Sequence, residues 1–223
     1  LADRHGLAEH QLGQLDALLG GLACDELAPT SVRERQAAID VHLADSLVAL
    51  ELEAVCGAGT LADVGTGAGF PGLALAVALP NSEVSLIESQ RRKCAFVERL
   101  AGAAGVGNTR VICARAEEWR EGAEHNDIVL ARALAAQPVV LEYAAPLLRV
   151  GGTLVEWRGR RDADEEGRAA IAADELGLRL REIRKVEPYV GARDHHLHVY
   201  VKEQQTPARF PRRAGFARKR PLG

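Results

Sequence analysis

The stretch LADVGTGAGFPG, Leu61 to Gly72, runs a short apolar segment into four glycines and then into the apolar run LALAVAL. Glycine reaches positive φ freely and carries no Cβ. A cluster of glycines between a strand and a helix therefore lets the main chain close around a ligand. A helix beginning near Gly69 would aim its free N–H groups and the positive end of its dipole at the same spot, where an anionic group is stabilised. Pro71 suits the first turn of such a helix. A tight turn without a ligand rarely needs glycine at Gly65, Gly67, Gly69 and Gly72 together. The chain is expected to be an α/β protein that binds something at this turn.

The surrounding pattern agrees. Leu7, Leu12, Leu15, Leu18, Leu19 and Leu22 recur at three- and four-residue steps, and Val41, Leu43, Leu47, Val48 and Leu50 repeat that spacing, so residues 1–54 read as a helical extension. From Leu61 the texture changes to strands alternating with helices: LADV, a helix from Gly69, VSLIE, a helix from Gln90 to Ala104, TRVIC and DIVLARA. A helix over Pro138 to Leu148, a turn at VGG, strand TLVEW, a charged helix over Arg161 to Leu176, and strands LREIRKVE and HLHVYVK follow. Such alternation implies a mostly parallel sheet covered on both faces, and the two closely linked final strands imply an antiparallel hairpin at one edge. Residues 55–205 form the α/β domain in this reading, and residues 206–223 a basic tail.

At 223 residues and 47% apolar content the chain can bury a sizeable core. Its longest apolar run, Leu73 to Leu79, is far short of a bilayer span, and LADRHGLAEH lacks the order of a signal peptide. A soluble, cytoplasmic monomer is expected. The sequence holds no methionine, so the start residue is expected to have been lost, trimmed or left out. Cys24, Cys56, Cys94 and Cys113 form no CxxC pair, which argues against a zinc site or a disulfide framework; reduced, mostly buried thiols are expected. Net charge is −3, yet residues 206–223 carry Arg209, Arg212, Arg213, Arg218, Lys219 and Arg220 and no acid. With Phe210 and Phe216 between the charges, this tail suits phosphate neutralisation and base stacking; a solvated, disordered terminus fits the pattern equally well.

Two ligands compete for the glycine turn. GAGFPG, Gly67 to Gly72, fits the dinucleotide fingerprint GxGxxG, while DVGTGAG, Asp63 to Gly69, fits the D-x-G-x-G turn of S-adenosylmethionine enzymes. Glu88 ends the next strand nineteen residues after Gly69, where an acid can take the ribose hydroxyls of either ligand. After Leu134 too little chain remains for a second nucleotide-binding half, and the edge hairpin also favours the methyltransferase sheet.

Four stretches carry a resemblance that spans nearly the whole chain: HLADSL from His42, DVGTGAGFPG from Asp63, ARAEE from Ala114 with ARALA from Ala131, and the tail FPRRAGFARKRPL. Together they resemble the bacterial small-subunit (16S) ribosomal RNA guanine-N7 methyltransferases, the family also called glucose-inhibited division protein B. Val41 departs from the common form, which often has a basic residue beside that histidine. The resemblance implies a class I S-adenosylmethionine-dependent methyltransferase fold, Rossmann-like, with S-adenosyl-L-methionine as cofactor. It implies a cofactor site at Gly65, Phe70, Ala116, Glu117 and Arg132, alongside Gly67, Gly69 and Glu88 from the turn and the ribose position. It also implies RNA contacts by the six tail cations, with small-subunit ribosomal RNA or the assembling subunit as partner.

Arg132 ends a strand inside the apolar run IVLARALA, so it needs a partner, whether ligand or structural acid. His42 and Asp45 lie one helical turn apart and either face the cleft or bond along the helix. His196, His198 and Tyr200 alternate on one strand face, but no third ligand has suitable spacing, and no metal is expected. The implied reaction needs no general base, because guanine N7 carries an in-plane lone pair and is unprotonated at neutral pH. Orientation and a dry site must supply the rate. An arginine on O6 and N7 would block the attacking atom, so the opposite, Watson–Crick edge should be held, and the guanine must be unpaired or extruded from a folded RNA. A small-molecule methyltransferase and a non-catalytic RNA-binding protein of the same fold are the alternatives. Removal of residues 206–223 is expected to leave the fold and the cofactor site intact, with packing of part of the tail on the domain through Phe210 and Phe216 as the alternative.

Overall fold

The computed structural model describes residues 1–32 and 34–223. The chain begins with helices α1 (Ala2–His5), α2 (Glu9–Cys24) and α3 (Arg35–Ala38), a π-helical turn over Ile39–Ala44, α4 (Asp45–Leu47), a 3-10 turn over Val48–Glu51 and α5 (Glu53–Cys56). The alternating region follows as β1 (Thr60–Val64), α6 (Gly72–Ala78), β2 (Glu83–Ile87), α7 (Arg91–Ala103), β3 (Thr109–Ile112), β4 (Asn126–Arg132) and α8 (Gln137–Ala144). It ends with β5 (Leu148–Arg158), α9 (Ala163–Leu176), β6 (Leu178–Val186), β7 (His195–Lys202) and α10 (Phe216–Lys219).

One seven-stranded sheet has the order β3-β2-β1-β4-β5-β7-β6. Strands β1 to β5 pair in parallel, whereas β7 runs antiparallel to both β5 and β6. The expected parallel sheet with an antiparallel C-terminal hairpin is thus present. The chain order reverses at β1, which pairs with β2 on one side and β4 on the other. In open α/β sheets a crevice opens beyond the carboxyl ends of the strands at such a reversal.

Strand alternation divides the core. On β1, Leu61 joins a layer with Leu15, Leu18 and Leu22 of α2 and Leu73 and Leu75 of α6; Ala62 joins the opposite layer with Val140 and Leu141 of α8 and Ala169 and Ala173 of α9. Residues 1–54 therefore contribute to one layer of the sheet's own core. The tail joins the other layer through Phe210 and Ala217.

Several boundaries differ from the sequence reading for identifiable reasons. Helix α6 starts at Gly72 with Pro71 at its N-cap, because Gly65, Gly67 and Gly69 hold φ of 73°, 62° and 98° and cannot continue a right-handed helix. The VGG segment lies within β5, where the register against β4 shifts between Asn126 and Ile128. Helix α8 stops at Ala144, and the carbonyls of Ala145 and Leu148 accept instead from the fully buried Lys202 Nζ, at 2.8 and 2.7 Å. Burial lowers the pKa of that ammonium. The expectation of mostly buried thiols fails: Cys94 is buried, but Cys24, Cys56 and Cys113 are exposed. Cys24 and Cys56 close helices α2 and α5 and Cys113 follows β3, so none lies on a core-facing position. Among the described residues no helix is long and apolar enough to cross a membrane.

A Cβ on Gly72 would lie 2.2 Å from Leu86 Cδ2 and 2.8 Å from Asp63 Oδ2. Gly72→Ala is accordingly expected to lower stability by about 1–3 kcal/mol through overpacking at the start of α6. Denaturant unfolding of the two proteins measures it, and equal midpoints would contradict this packing.

Candidate active site

The glycine turn is fixed by one carboxylate. Asp63, near the end of β1 and 1% exposed, accepts at Oδ2 from Thr66 Oγ1 at 2.6 Å and from Gly72 N at 2.8 Å. These two bonds tie the end of the strand to the turn and to the first residue of α6. Burial pushes the Asp63 carboxyl up to about 6, against the two hydrogen bonds, which pull it down. Gly65 N and Thr66 N both donate to Ile87 O, at 2.9 and 3.0 Å, which sets the turn against the end of β2.

Beyond these strand ends lies a cleft lined by Gly65, Glu88, Ser89, Lys93, Ala116 and Glu117, with Leu134 and Tyr143 on the β4–α8 side and Arg218 from the tail. Of the predicted cofactor residues, Gly65, Glu88, Ala116 and Glu117 meet here. Glu88 is 6% exposed; its Oε1 accepts from Gln90 N at 2.8 Å, while among the described residues Oε2 has only Lys93 Nζ at 3.9 Å. That leaves one oxygen free to receive hydroxyl donors. At Gly65 a Cβ would stand 2.4 Å from Leu134 Cδ1, so glycine keeps both the positive φ and the close approach of the turn to the opposite wall. Ala133, also on this wall, holds φ of 51°, an uncommon backbone state for a residue with a side chain.

Gly67, Gly69, Phe70 and Arg132 lie outside this lining. Phe70 is buried and stacks on the His42 ring, centroids 5.0 Å apart. Arg132 turns toward the N-terminal layer, where its guanidinium donates to Asp45 Oδ2 at 2.7 Å and to Val41 O at 2.9 Å. Asp45 Oδ1 faces His195 Nδ1 at 3.1 Å, and its backbone carbonyl accepts from Trp157 Nε1 at 2.7 Å. The strand-end arginine thus has a structural acid, and Asp45 links the N-terminal helices to β4, β5 and β7. His42 Nε2 lies 3.0 Å from Thr30 Oγ1, and burial, with Arg132 nearby, lowers its pKa to about 4. His198, on β7, lies outside the cleft lining: Gln137 Nε2 bridges its Nδ1 (2.7 Å) and Glu156 Oε2 (3.0 Å). Burial lowers His198 to about 4 and raises Glu156 to about 8. The His196 Nδ1 lies 2.9 Å from Gly159 O.

The tail packs on the domain, as the alternative reading had it. Phe210 is buried, Arg212 Nε donates to the buried Glu142 at 2.8 Å, and Arg209 pairs with Glu175 at 3.0 Å. Arg212 and Arg213 lie over the Phe216 ring at 4.9 and 5.5 Å. The two aromatic rings that the sequence suggested for base stacking are therefore a core anchor and a platform for the tail's own arginines. Gly215 N donates to Glu117 Oε1 at 2.9 Å, and Arg218 donates to Leu134 O at 2.9 Å. The sequence reading missed Ser89, Lys93, Leu134, Tyr143 and Arg218 as lining residues; the first three follow strand ends closely, which is the signal that could have found them.

Sequence comparison places this geometry in a family. Residues 23–189 match the profile of the GidB family, described as rRNA small subunit methyltransferase G. The chain belongs to this family. It is similar to the ribosomal RNA small subunit methyltransferase G of Syntrophomonas wolfei, 39% identical over 82% of this chain and 86% of the relative. It is also similar to that of Deinococcus radiodurans, 37% identical over 96% of this chain and 85% of the relative. Among solved structures, the fold is similar to that of a SAM-dependent methyltransferase from Aquifex aeolicus, with TM-score 0.57 and 18% identity over 74% of this chain and 92% of that one. Aeropyrum pernix fibrillarin in complex with S-adenosyl-L-methionine gives TM-score 0.57 and 19% identity over 71% and 73%. The fold is that of the class I S-adenosylmethionine-dependent methyltransferases, and S-adenosylmethionine is the cofactor. The cleft fits that ligand on its own evidence: a glycine turn without Cβ atoms at Gly65, a carboxylate oxygen on Glu88 free for ribose hydroxyls, and a second carboxylate at Glu117.

Glu88→Ala is expected to weaken binding of S-adenosylhomocysteine by about 1.5–3 kcal/mol, the loss of charge-assisted hydrogen bonds. Calorimetry reads this directly; unchanged affinity in a folded variant would remove Glu88 from the site.

The histidines set an acid limit on stability. Both His42 and His198 have folded pKa values lowered from 6.5 to about 4, so between these values the unfolded chain binds more protons than the folded one. The stability that these two groups contribute is then present above about pH 6.5 and is lost as pH falls toward about 4. Asp63 and Glu156, raised to about 6 and about 8, contribute the opposite slope over the same window, so the readout is a difference: thermal melts of His42→Phe should lose less stability toward low pH than the parent, and an identical pH slope would contradict a buried, neutral His42.

Proposed function

We propose that this protein is an S-adenosylmethionine-dependent methyltransferase acting on N7 of a guanine in small-subunit (16S) ribosomal RNA. The observation that carries the reading is the cleft at the β1–β4 reversal, where Gly65, Glu88, Ala116 and Glu117 converge, in a chain of the rRNA small subunit methyltransferase G family. In this reading Gly65 admits the amino-acid portion of the cofactor, Glu88 takes the ribose hydroxyls, and Ala116 and Glu117 border the adenine. Gly67 and Gly69 shape the turn, and Phe70 and Arg132 support it from behind, through His42 and Asp45.

The cofactor supplies an electrophilic methyl group on a sulfonium. The guanine N7 lone pair accepts that methyl in the plane of the base, and no proton leaves N7, so the protein need not provide a base. Its residues hold and orient, and they exclude water. The buried His42, neutral at physiological pH, fits this requirement as a packing group against Phe70. Substrate contact by the tail rests on cations without an acid partner among the described residues: Arg213, Lys219 and Arg220 are exposed, whereas Arg209 and Arg212 are held by Glu175 and Glu142. Together with Arg218 these six residues make the RNA-facing tail of this proposal. We further read the protein as a cytoplasmic monomer with one α/β unit (55–205), its helical extension (1–54) and its tail (206–223).

The test is methylation of small-subunit ribosomal RNA, free or in assembling particles, with labelled S-adenosylmethionine, followed by mapping of N7-methylated guanines by strand scission. A single modified guanine is expected. Label at another atom, or on small-molecule acceptors only, would overturn the assignment.

A further inference from the structure

The C-terminal tail makes two contacts to the cleft that neither a flexible arm nor a simple phosphate-binding arm requires. Gly215, with φ of 75°, points its N–H at the Glu117 carboxylate, 2.9 Å away. Three residues later Arg218 reaches across to the Leu134 carbonyl at 2.9 Å and lies against the Tyr143 hydroxyl, so that its guanidinium forms part of the cleft wall. Between them Ala217 is buried at 1% exposure against the layer that holds Tyr143 and Ala116. Upstream, Phe210 and the Arg212–Glu142 pair anchor the segment, and Arg212 also donates to Arg220 O at 2.9 Å, which closes the tail on itself around these residues. Leu134 belongs to the wall opposite the glycine turn, within 2.4 Å of where a Gly65 Cβ would stand. Arg218 is thus bonded to one side of the cleft at the residue that approaches the other.

We propose that the tail is a wall of the cofactor site: Gly215 positions Glu117 through its backbone N–H, and Arg218 is a cofactor-binding residue at the Leu134–Tyr143 side of the cleft. The inference rests on the cofactor reading of that cleft. It reassigns Arg218 from the RNA surface and makes cofactor and tail order mutually dependent. A ligand that packs on an ordered tail stabilises that order, and by linkage a chain with its tail released binds the ligand less well.

The tail holds trypsin sites after Arg213, Arg218 and Lys219, whereas Arg220 precedes Pro221 and is resistant, so the unaltered protein provides a readout. Trypsin cleavage within residues 213–220 is followed by mass spectrometry with and without saturating S-adenosylhomocysteine, and affinity for that ligand is measured by calorimetry for Arg218→Ala. Arg179→Ala, which removes an exposed cation paired with Glu203 far from the cleft, is the charge control. Ligand should slow tail cleavage at least fivefold, and Arg218→Ala should bind at least fivefold more weakly at an unchanged melting temperature, while Arg179→Ala binds as the parent does. If Arg218→Ala does not fold, the cleavage rates of the parent decide alone. Equal cleavage rates with and without ligand, or parental affinity in a folded Arg218→Ala, would overturn the inference and leave the cofactor site standing. Failure of the parent to bind S-adenosylhomocysteine at all would overturn both.

Discussion

Everything at the functional end of this molecule depends on the buried carboxylate of Asp63. Its Oδ2 receives two donors six residues of chain apart, on either side of Gly67 and Gly69: the hydroxyl of Thr66 and the backbone N–H of Gly72. A turn of residues at positive φ has no repeating hydrogen-bond pattern to hold it, and glycine loses more conformational freedom on ordering than any other residue. The carboxylate provides the fixed points. Without it, two donors would be left unpaired at a site from which water is excluded, and the Gly65 backbone would have nothing to keep it against the β2 end and the opposite wall. The carboxyl tolerates this burial because both donors point at one oxygen, although burial still raises its pKa toward 6.

A second constraint ties the surrounding layers to that turn. Asp45 pairs with Arg132 and faces His195, while its carbonyl holds the Trp157 indole. The side chains of Arg132 and Asp45 are 15% and 10% exposed, so the ion pair is largely desolvated and each partner depends on the other; removing one of such a pair typically costs about 3–5 kcal/mol. This pair fixes the N-terminal layer against β4, β5 and β7, and through His42 it sets the surface on which Phe70 packs. On the opposite layer the Arg212–Glu142 pair fixes the tail in the same way. The cleft has its floor at the strand ends, and each of the two layers that cover the sheet is held by an arginine–carboxylate contact.

Much of this was legible in the sequence because it is local. Glycine spacing, strand alternation and the acid at the end of β2 each depend on neighbours along the chain, and they located the turn, the sheet and Glu88. What the pattern could not resolve was choice of partner. Arg132 required a counter-charge on desolvation grounds alone, but that the counter-charge is Asp45, 87 residues earlier, is a property of packing. The tail shows the same limit: six cations and two rings suggest RNA on composition, yet Phe210 is a core residue and Arg212 is consumed by Glu142 because α8 presents a buried acid at that point. Cysteine exposure failed for a related reason, since residue type sets a tendency to be buried while position on the helix or strand face decides it.

The central claim is that the cleft at the β1–β4 reversal binds S-adenosylmethionine through the glycine turn and the two carboxylates. A crystal structure of the protein with S-adenosylhomocysteine tests it most directly. The account predicts density for the ligand running from Gly65 to Glu117, with both ribose hydroxyls on the Glu88 carboxylate and the Asp63 contacts to Thr66 and Gly72 retained. Ligand bound elsewhere, or bound in the cleft with Glu88 turned away from the ribose, would contradict it.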